Sequence, residues 1–329
     1  MNHPRYSIIM PAFNAQATIA KAMASVQGQT IDNWEIIAVD DGSSDRTLSI
    51  LEDFCKSDNR IRVFSQENRG PGAARRLALE NCGGEYVAFL DSDDYWEPDF
   101  LKRVDEQFVS NNSDVVFVDV IDEGIDGSPI GRTEISANRG LSKECNIRRQ
   151  MTGLIPWGME KAFRRSLLSD LCGGFSDLDV GEEAIFSFEV VNAASAISFV
   201  DKPIYHYVKR ECGQHKKGGD DPWRQVVRSM SNHLDARGEL ERYKATVNAF
   251  ALRAMCIAVY RLACRQDSLS KASKAIALLH KQYEAEFDLD QLDKGALDKT
   301  SLLIRMLLRA RCYWALVLVS RARRKRLPC

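Results

Sequence analysis

The chain has 329 residues, 45% hydrophobic and 28% charged, with a formal charge of -1. This is an ordinary globular composition with enough chain for a large core, and it excludes wholesale disorder and a nucleic-acid binder working through bulk positive charge. The nine cysteines (55, 82, 145, 172, 212, 256, 264, 312 and 329) are odd in number and contain no Cys-x-x-Cys pair. That spacing fits a reducing cytosol and not a disulfide framework or zinc site.

Tyr6-Ser-Ile-Ile-Met10 reads as a strand buried on both faces and closed by Pro11, entered so early that no basic-then-apolar leader is expected. Asn14 opens a helix to about Gln27, with Ile19, Met23 and Val26 on one face. Trp34 to Val39 forms the second strand and ends in Asp40-Asp41-Gly42-Ser43-Ser44-Asp45, a polar turn able to cap a helix from Arg46 to about Lys56. Ile61 to Phe64 is the third strand, and Asn68-Arg-Gly-Pro-Gly72 feeds a helix from Pro71 to about Cys82. The fourth strand, Tyr86-Val-Ala-Phe-Leu, ends abruptly in Asp91-Ser92-Asp93-Asp94. Strands and helices alternating in this way predict a parallel, doubly wound sheet with right-handed crossovers.

A helix over Asp99 to Ser110 and a strand over Asp114 to Asp119 follow. Residues 121 to 150 are rich in Gly, Asp, Ser and Asn with weak periodicity, and are expected to form an excursion over the sheet edge or a mobile loop. Ile155-Pro-Trp-Gly158 leads into a short basic helix with Arg164 and Arg165; Gly181-Glu182-Glu183 starts another helix. Two strands, Ala196 to Val200 and Pro203 to Tyr207, close this part. From Pro222 onward the pattern is helical, with a boundary near Gly218-Gly219, no internal repeat and no uninterrupted apolar run of the ~18 residues that a spanning helix requires. The expected division is 1–112 for nucleotide-sugar binding, 113–218 for acceptor binding in the same domain, and a helical region over 219–329.

In an open α/β sheet, ligands collect outside the carboxyl ends of the strands, so Asp91 and Asp93 are expected to face a bound molecule. Hard oxygens at this spacing suit Mg²⁺ or Mn²⁺, which take one or two carboxylates and complete their shell with water and substrate phosphate. An Asp-x-Asp triplet arises by chance roughly once in a chain this long, so its neighbours decide its meaning. Asp41, at the end of the second strand, can accept the ring N–H of uracil; alone, it reads equally well as a turn aspartate. Arg75, one turn into the third helix, can meet a phosphate or simply sit in solvent. The glycine-rich turn before it lacks both Gly-x-Gly-x-x-Gly and a P-loop lysine, which argues against a dehydrogenase or an ATPase.

Taken together, Pro11-Ala12-Phe13-Asn14, Val39-Asp-Asp-Gly-Ser-Ser-Asp45, Asn68-x-Gly70 with Ala74-Arg75, and Phe89-Leu-Asp-Ser-Asp-Asp94 resemble the inverting glycosyltransferases of family 2 with the GT-A fold. Fainter likeness continues at Trp157 to Arg165, Gly181-Glu-Glu183 and Tyr205-His-Tyr207. The resemblance implies a Rossmann-like, mostly parallel central sheet flanked by helices, with a C-terminal helical appendage. It implies that Pro11, Phe13 and Asp41, with Ala12 and Asn14 beside them, form the uridine pocket and that Arg75 assists the nucleotide. Asp91 and Ser92 then contact the nucleotide and metal region, while Asp93, with Asp91, holds the divalent cation. It also makes Glu183 the base that deprotonates the acceptor hydroxyl, with Glu182 as runner-up. A pair of acids opening a helix is equally explained by the helix dipole, worth ~0.3 to 1 kcal/mol. The sequence departs from the family pattern at Arg76 (Asn is common), Ala78 (Gly), Glu183 (Asp), His206 (Tyr) and Cys212-Gly213 (Gly-Ser). Lys209 or Arg210 is a candidate grip on phosphate.

From Ser301 on there are eight basic residues and no acid, ending in Arg321-Ala-Arg-Arg-Lys-Arg326 after the apolar run Cys312 to Val319. Such a segment can lie on an anionic leaflet or pack in a core with a solvated tail. The expected activity is transfer from a UDP-sugar to a saccharide or lipid-linked acceptor in surface polysaccharide synthesis. The expected location is the cytoplasm, peripheral on the inner membrane, with no nucleic-acid partner. A nucleotidyltransferase and a catalytically silent sugar-nucleotide scaffold are the competing readings.

Overall fold

The computed structural model describes residues 3–171, 175, 178, 180–209 and 219–324. The chain divides into two compact units, one formed by residues 1–143, 156–177 and 186–210, the other by 144–155, 178–185 and 211–329.

The first unit opens with β1 (Tyr6–Ala12), α1 (Ile19–Gln27), β2 (Trp34–Asp40), α2 (Thr47–Ser57), β3 (Ile61–Ser65), α3 (Pro71–Glu80) and β4 (Tyr86–Phe89). The strands pair in parallel in the order β3-β2-β1-β4, with Ile8 flanked by Ile36 and Ala88. Every residue of β1, β2 and β4 is buried, which is why these segments read as continuous runs and not as alternating ones. Helix α1 packs against α2 and buries Ile19, Ala22, Met23 and Val26, a stripe at helical spacing. It begins at Ile19 and not at Asn14, because Asn14 has φ 47 and its side chain is engaged elsewhere.

The sheet continues through β5 (Tyr95–Trp96), α4 (Phe100–Asn111), β6 (Val115–Gly124), β7 (Pro129–Thr133), α5 (Lys143–Met151), β8 (Lys161–Arg164), α6 (Ala184–Ala193) and β9 (Ile197–Lys209). Strand β8 is antiparallel to both of its neighbours, β4 and β6; β9 runs parallel to β6, and β5 is antiparallel on β9. The nine-stranded sheet is therefore mixed: parallel from β3 to β4, with β8, β5 and β7 running against the other strands.

Three sequence expectations are corrected here. The expected basic helix before Arg165 is strand β8, because Lys161, Ala162 and Phe163 are buried between β4 and β6; only Arg165–Asp170 is helical, as a 3-10 segment. The two expected strands at 196–207 are one, β9, with an irregularity opposite Asp119. Residues 121 to 150 are structured: β6 turns through Gly127 (φ 77) into β7, and a 3-10 segment, Ile135–Asn138, precedes α5. Buried Asp119 holds this excursion, accepting bonds from Ser136 N at 2.8 Å, Ser136 Oγ at 2.8 Å and Arg132 Nη2 at 3.1 Å.

The second unit is helical: most of α5, then α7 (Trp223–Ala236), α8 (Leu240–Arg265), α9 (Leu269–Glu284), α10 (Lys299–Arg309) and α11 (Tyr313–Arg324). Helices α7, α9, α10 and α11 all pack against α8, which is buried nearly all round. Although no uninterrupted apolar run exists, α8 is the one described helix long and apolar enough to cross a membrane by length and composition. Two thirds of its apolar window is buried, as in a core helix. Helices α9 and α10 are capped by Ser268 and Asp298, whose side chains accept from Lys271 N and Ser301 N. Among the described residues, Cys55, Cys82 and Cys312 are in no disulfide.

Candidate active site

The carboxyl ends of β1, β2 and β4 and the amino end of the reversed β8 share one edge of the sheet. Two loops at that edge are laced together. Asn14 N donates to Ser43 Oγ at 2.9 Å, Asn14 Oδ1 accepts from Ser44 N at 2.9 Å, and Ala15 N donates to Thr47 Oγ1 at 2.7 Å. Asp45 accepts from Gln16 N and Thr47; these bonds outweigh the opposing effect of burial and hold its carboxyl below the usual range. Pro11 and Ala12, just before these loops, are buried, while Phe13 is 48% exposed.

Asp41 is 2% exposed. Its Oδ1 accepts from Gln66 Nε2 at 2.7 Å and Arg69 N at 2.9 Å, and its Oδ2 from Gly70 N at 2.8 Å. It thus fixes the turn that launches α3, and Oδ2, with one donor among the described residues, keeps acceptor capacity. Gly42 follows with φ +72, where a Cβ would lie 2.8 Å from Asn68 N. Both the left-handed backbone and the close approach demand glycine. Gly42→Ala is expected to destabilise the protein by about 1–3 kcal/mol, measured as a lowered melting temperature; an unchanged melt would show that the 66–70 turn does not press on this position.

Helix α3, begun by Pro71, carries buried Arg75, whose Nη2 reaches Asp91 Oδ1 at 2.8 Å. The Arg75 guanidinium carbon also lies 5.6 Å from the centre of the Phe175 ring. Asp41, the 66–70 turn, Arg75 and Asp91 are therefore mechanically linked at one edge. Asp93 and Ser92 are half-buried in the same turn.

The third acid of this turn has a different task. Asp94 is 2% exposed; its Oδ2 accepts from Tyr205 Oη at 2.7 Å and its Oδ1 from Val208 N at 2.9 Å, which ties β9 to the turn. Burial first, then the charges of Asp93 and Asp91, push its carboxyl well above the usual range. That negative field is the observation by which the turn fits a divalent cation. Asp91 and Asp93 are hard oxygen donors of the kind that such an ion takes, one or two at a time, alongside phosphate and water. Among the described residues no group of three acids, histidines or cysteines closes into a complete metal cage.

Sequence reasoning missed Asp94 as an anchor, and it missed Glu160. Glu160 immediately precedes β8, half-buried, with its backbone carbonyl accepting from Val118 N at 3.0 Å. Gly158 makes room for it, since a Cβ there would fall 2.8 Å from Glu160 Oε1. Burial raises its carboxyl above the usual range against the pull of Lys161, and Asp91 and Asp122 add to the rise. A reversed strand delivers this acid to the edge, a placement no linear motif announces.

Lys209 at the end of β9 pairs with Asp122 at 3.4 Å. Arg210, Cys212 and Gly213 lie outside the described residues. Glu182, buried, and Glu183, half-buried, belong to the second unit, where Gly181 (φ +71) turns the chain into α6. The Gly181 turn is packed against Trp223 and Val226 of α7.

A mixed α/β sheet with a nucleotide-type carboxyl edge and an Asp-Ser-Asp turn defines the class of GT-A glycosyltransferases. Residues 7–172 match the family described as Glycosyl transferase family 2. EpsH of Bacillus subtilis, named as a glycosyltransferase, is 30% identical over 258 residues, covering 76% of this chain and 75% of EpsH. The chain belongs to glycosyltransferase family 2. A further relative is WfgD of Escherichia coli, named as a UDP-Glc:alpha-D-GlcNAc-diphosphoundecaprenol beta-1,3-glucosyltransferase. It is 37% identical over 145 residues, which make up 43% of this chain and 56% of WfgD. In structure, residues 1–349 of Staphylococcus aureus TarS, crystallised with UDP-GlcNAc, superpose with a TM-score of 0.67 at 21% identity, covering 98% of this chain and 92% of the other. The GT-A fold expected from the sequence, helical C-terminal region included, is thereby established.

Proposed function

We propose that this glycosyltransferase is metal-dependent and inverting, moving a sugar from a UDP-sugar to a hydroxyl of a saccharide acceptor carried on a lipid, in polysaccharide synthesis. The linked series Asp41, Arg75 and Asp91, with Asp93 beside it, carries this reading: a buried acceptor for the base, a cation for the diphosphate and hard oxygens for a metal stand on one turn system. The likeness to WfgD supports a UDP-sugar and a lipid-linked acceptor, and the likeness to TarS, crystallised with UDP-GlcNAc, is consistent with a uridine nucleotide. Pro11, Ala12, Phe13 and Asn14 would frame the uridine, and Ser92 with Asp91 would meet the nucleotide's inner end. The cation, held by Asp93 and Asp91, would supply charge stabilisation to the departing diphosphate. Glu183, with Glu182 in reserve, would take the acceptor proton. In this scheme 1–112 serve the donor and 113–218 the acceptor. A panel of UDP-sugars incubated with Mn²⁺ tests the reading: UDP release for one sugar is expected, whereas pyrophosphate release would favour a nucleotidyltransferase and no release a silent scaffold.

We further read the chain as cytoplasmic and peripheral on an anionic membrane face. In α10 and α11, Met306 (68% exposed), Trp314 (58%) and Leu318 (50%) are uncovered among Arg309 and Arg311, with no acid after Asp298. Each basic residue near an anionic surface adds about 1 kcal/mol, and Trp and Leu insert at the interface. Sedimentation with phosphatidylglycerol vesicles is expected to carry the protein down, and Trp314→Glu to release it. Equal recovery with and without vesicles would remove the membrane from the account.

A further inference from the structure

Glu160 is an acid at the carboxyl edge whose side chain the fold leaves unsatisfied. It stands just before β8, with its carbonyl accepting from Val118 N at 3.0 Å. Because β8 runs against β4, with Ala162 opposite Ala88, stepping back from Ala162 to Glu160 leads toward the turn that holds Asp91. The side chain is half-buried and folds back over a glycine: a Cβ on Gly158 would lie 2.8, 2.9 and 3.1 Å from its Oε1, Oε2 and Cδ. The acids around it have partners. Asp91 is bound by Arg75 Nη2 at 2.8 Å, Asp94 accepts from Tyr205 Oη and Val208 N, and Asp122 accepts from Thr133 Oγ1 at 3.3 Å and pairs with Lys209 at 3.4 Å. Lys161, next to Glu160 in the chain, attracts it, but its ammonium donates to the carbonyls of Trp157, at 2.8 Å, and Gly158. Among the described residues, the Glu160 carboxylate takes a hydrogen bond only from its own backbone N–H, while the charges of Asp91 and Asp122 press on it.

A carboxylate offers about four acceptor sites, so most of this capacity is unused. An acid kept half-buried among acids, short of donors, costs stability and points to a ligand that donates. That ligand is neutral. A divalent cation takes several hard oxygens at once, and among the described residues Glu160 forms no group of three acids, histidines or cysteines that could hold one. A phosphate or carboxylate would be repelled. Sugar hydroxyls are compact, uncharged donors, and a carboxylate accepts from them with charge-assisted bonds.

We propose that Glu160 is a specificity residue: its carboxylate accepts hydroxyls of the donor sugar, selecting neutral sugars and turning away those that carry a carboxylate. This rests on the function proposed above, in which the diphosphate, and so the sugar bonded to it, lies beside the turn of Asp91 and Asp93. The test is calorimetric titration with Mn²⁺ of UDP, UDP-glucose, UDP-galactose, UDP-N-acetylglucosamine and UDP-glucuronic acid into the native protein and two variants. Glu160→Gln keeps the shape and loses the charge; Gly158→Ala keeps the acid and displaces its carboxyl, and covers the case in which Glu160→Gln does not fold. Both should bind UDP as the native protein does and the preferred neutral UDP-sugar about tenfold more weakly. UDP-glucuronic acid should bind the native protein more weakly than UDP-glucose, from which it differs only at C6, and Glu160→Gln should narrow that gap. Because glutamine removes a charge facing Asp91 and Asp122, Glu160→Gln should melt at or above the native temperature. Undiminished affinity for the preferred sugar in both variants, an equal loss for UDP, a native preference for UDP-glucuronic acid, or a lowered melt in Glu160→Gln overturns the assignment. A native protein that binds UDP but no UDP-sugar also overturns it while leaving the nucleotide site standing. One that binds neither UDP nor any UDP-sugar overturns the proposed function itself.

Discussion

Asp93→Asn is expected to lower UDP-sugar turnover by about 10³-fold, several kcal/mol of lost charge stabilisation. The neighbouring acids are poorly placed to compensate. Asp91 is engaged by the Arg75 guanidinium at 2.8 Å, and both oxygens of Asp94 accept bonds from β9. The same substitution should not weaken the fold. Asp93 is one of the charges that push the Asp94 carboxyl up, so neutralising it relieves repulsion in a buried turn. An inactive variant that melts at or above the native temperature separates a lost ligand from a lost structure. A variant retaining more than about a tenth of native turnover would remove Asp93 from the role of principal metal ligand.

The second large effect is expected at Glu183. If this carboxylate takes the acceptor proton, Glu183→Gln should reduce transfer by about 10²–10⁴-fold while leaving the affinity for UDP and Mn²⁺ unchanged, since the donor half would be untouched. Glu182→Gln should do less. The buried position of Glu182 and the packing of the Gly181 turn against α7 make a stability loss its expected phenotype instead. Measured kcat with saturating acceptor, beside the Kd for UDP, distinguishes the outcomes. Full transfer in Glu183→Gln would transfer the role to another acid, and Glu160 would be the first to test.

The parallel half of the fold is legible in the sequence because its strands are buried on both faces and its turns carry Gly, Pro, Asn and Asp where backbone geometry requires them. Runs such as Tyr6 to Met10 and Trp34 to Val39 leave little choice, and Gly42 and Gly70 mark turns that do have positive φ. Strand β8 is not legible, because Lys161-Ala-Phe-Arg164 is short and has a basic residue at each end. Only burial between β4 and β6 makes it a strand, an environment that local preference does not encode. The excursion over 121–150 is hidden for a related reason: its order comes from Asp119 reaching Ser136 and Arg132, partners that spacing cannot pair. At the site itself, the acidic turn, Arg75 and Asp41 can be named from the sequence, and Arg75 and Asp91 do meet. The division of labour within Asp91-Ser-Asp-Asp94 is not readable, because four adjacent residues fan out in different directions and only the position of β9 shows that Asp94 points inward to Tyr205.

The most direct test of the central claim, that a divalent cation and a uridine diphosphate share the turn ending β4, is calorimetric titration of UDP into the native protein and Asp93→Asn, each with and without Mn²⁺. Mn²⁺ is expected to tighten UDP binding by tenfold or more in the native protein and to do nothing in the variant. Equal affinities with and without Mn²⁺ in the native protein, or an undiminished Mn²⁺ effect in Asp93→Asn, would contradict it.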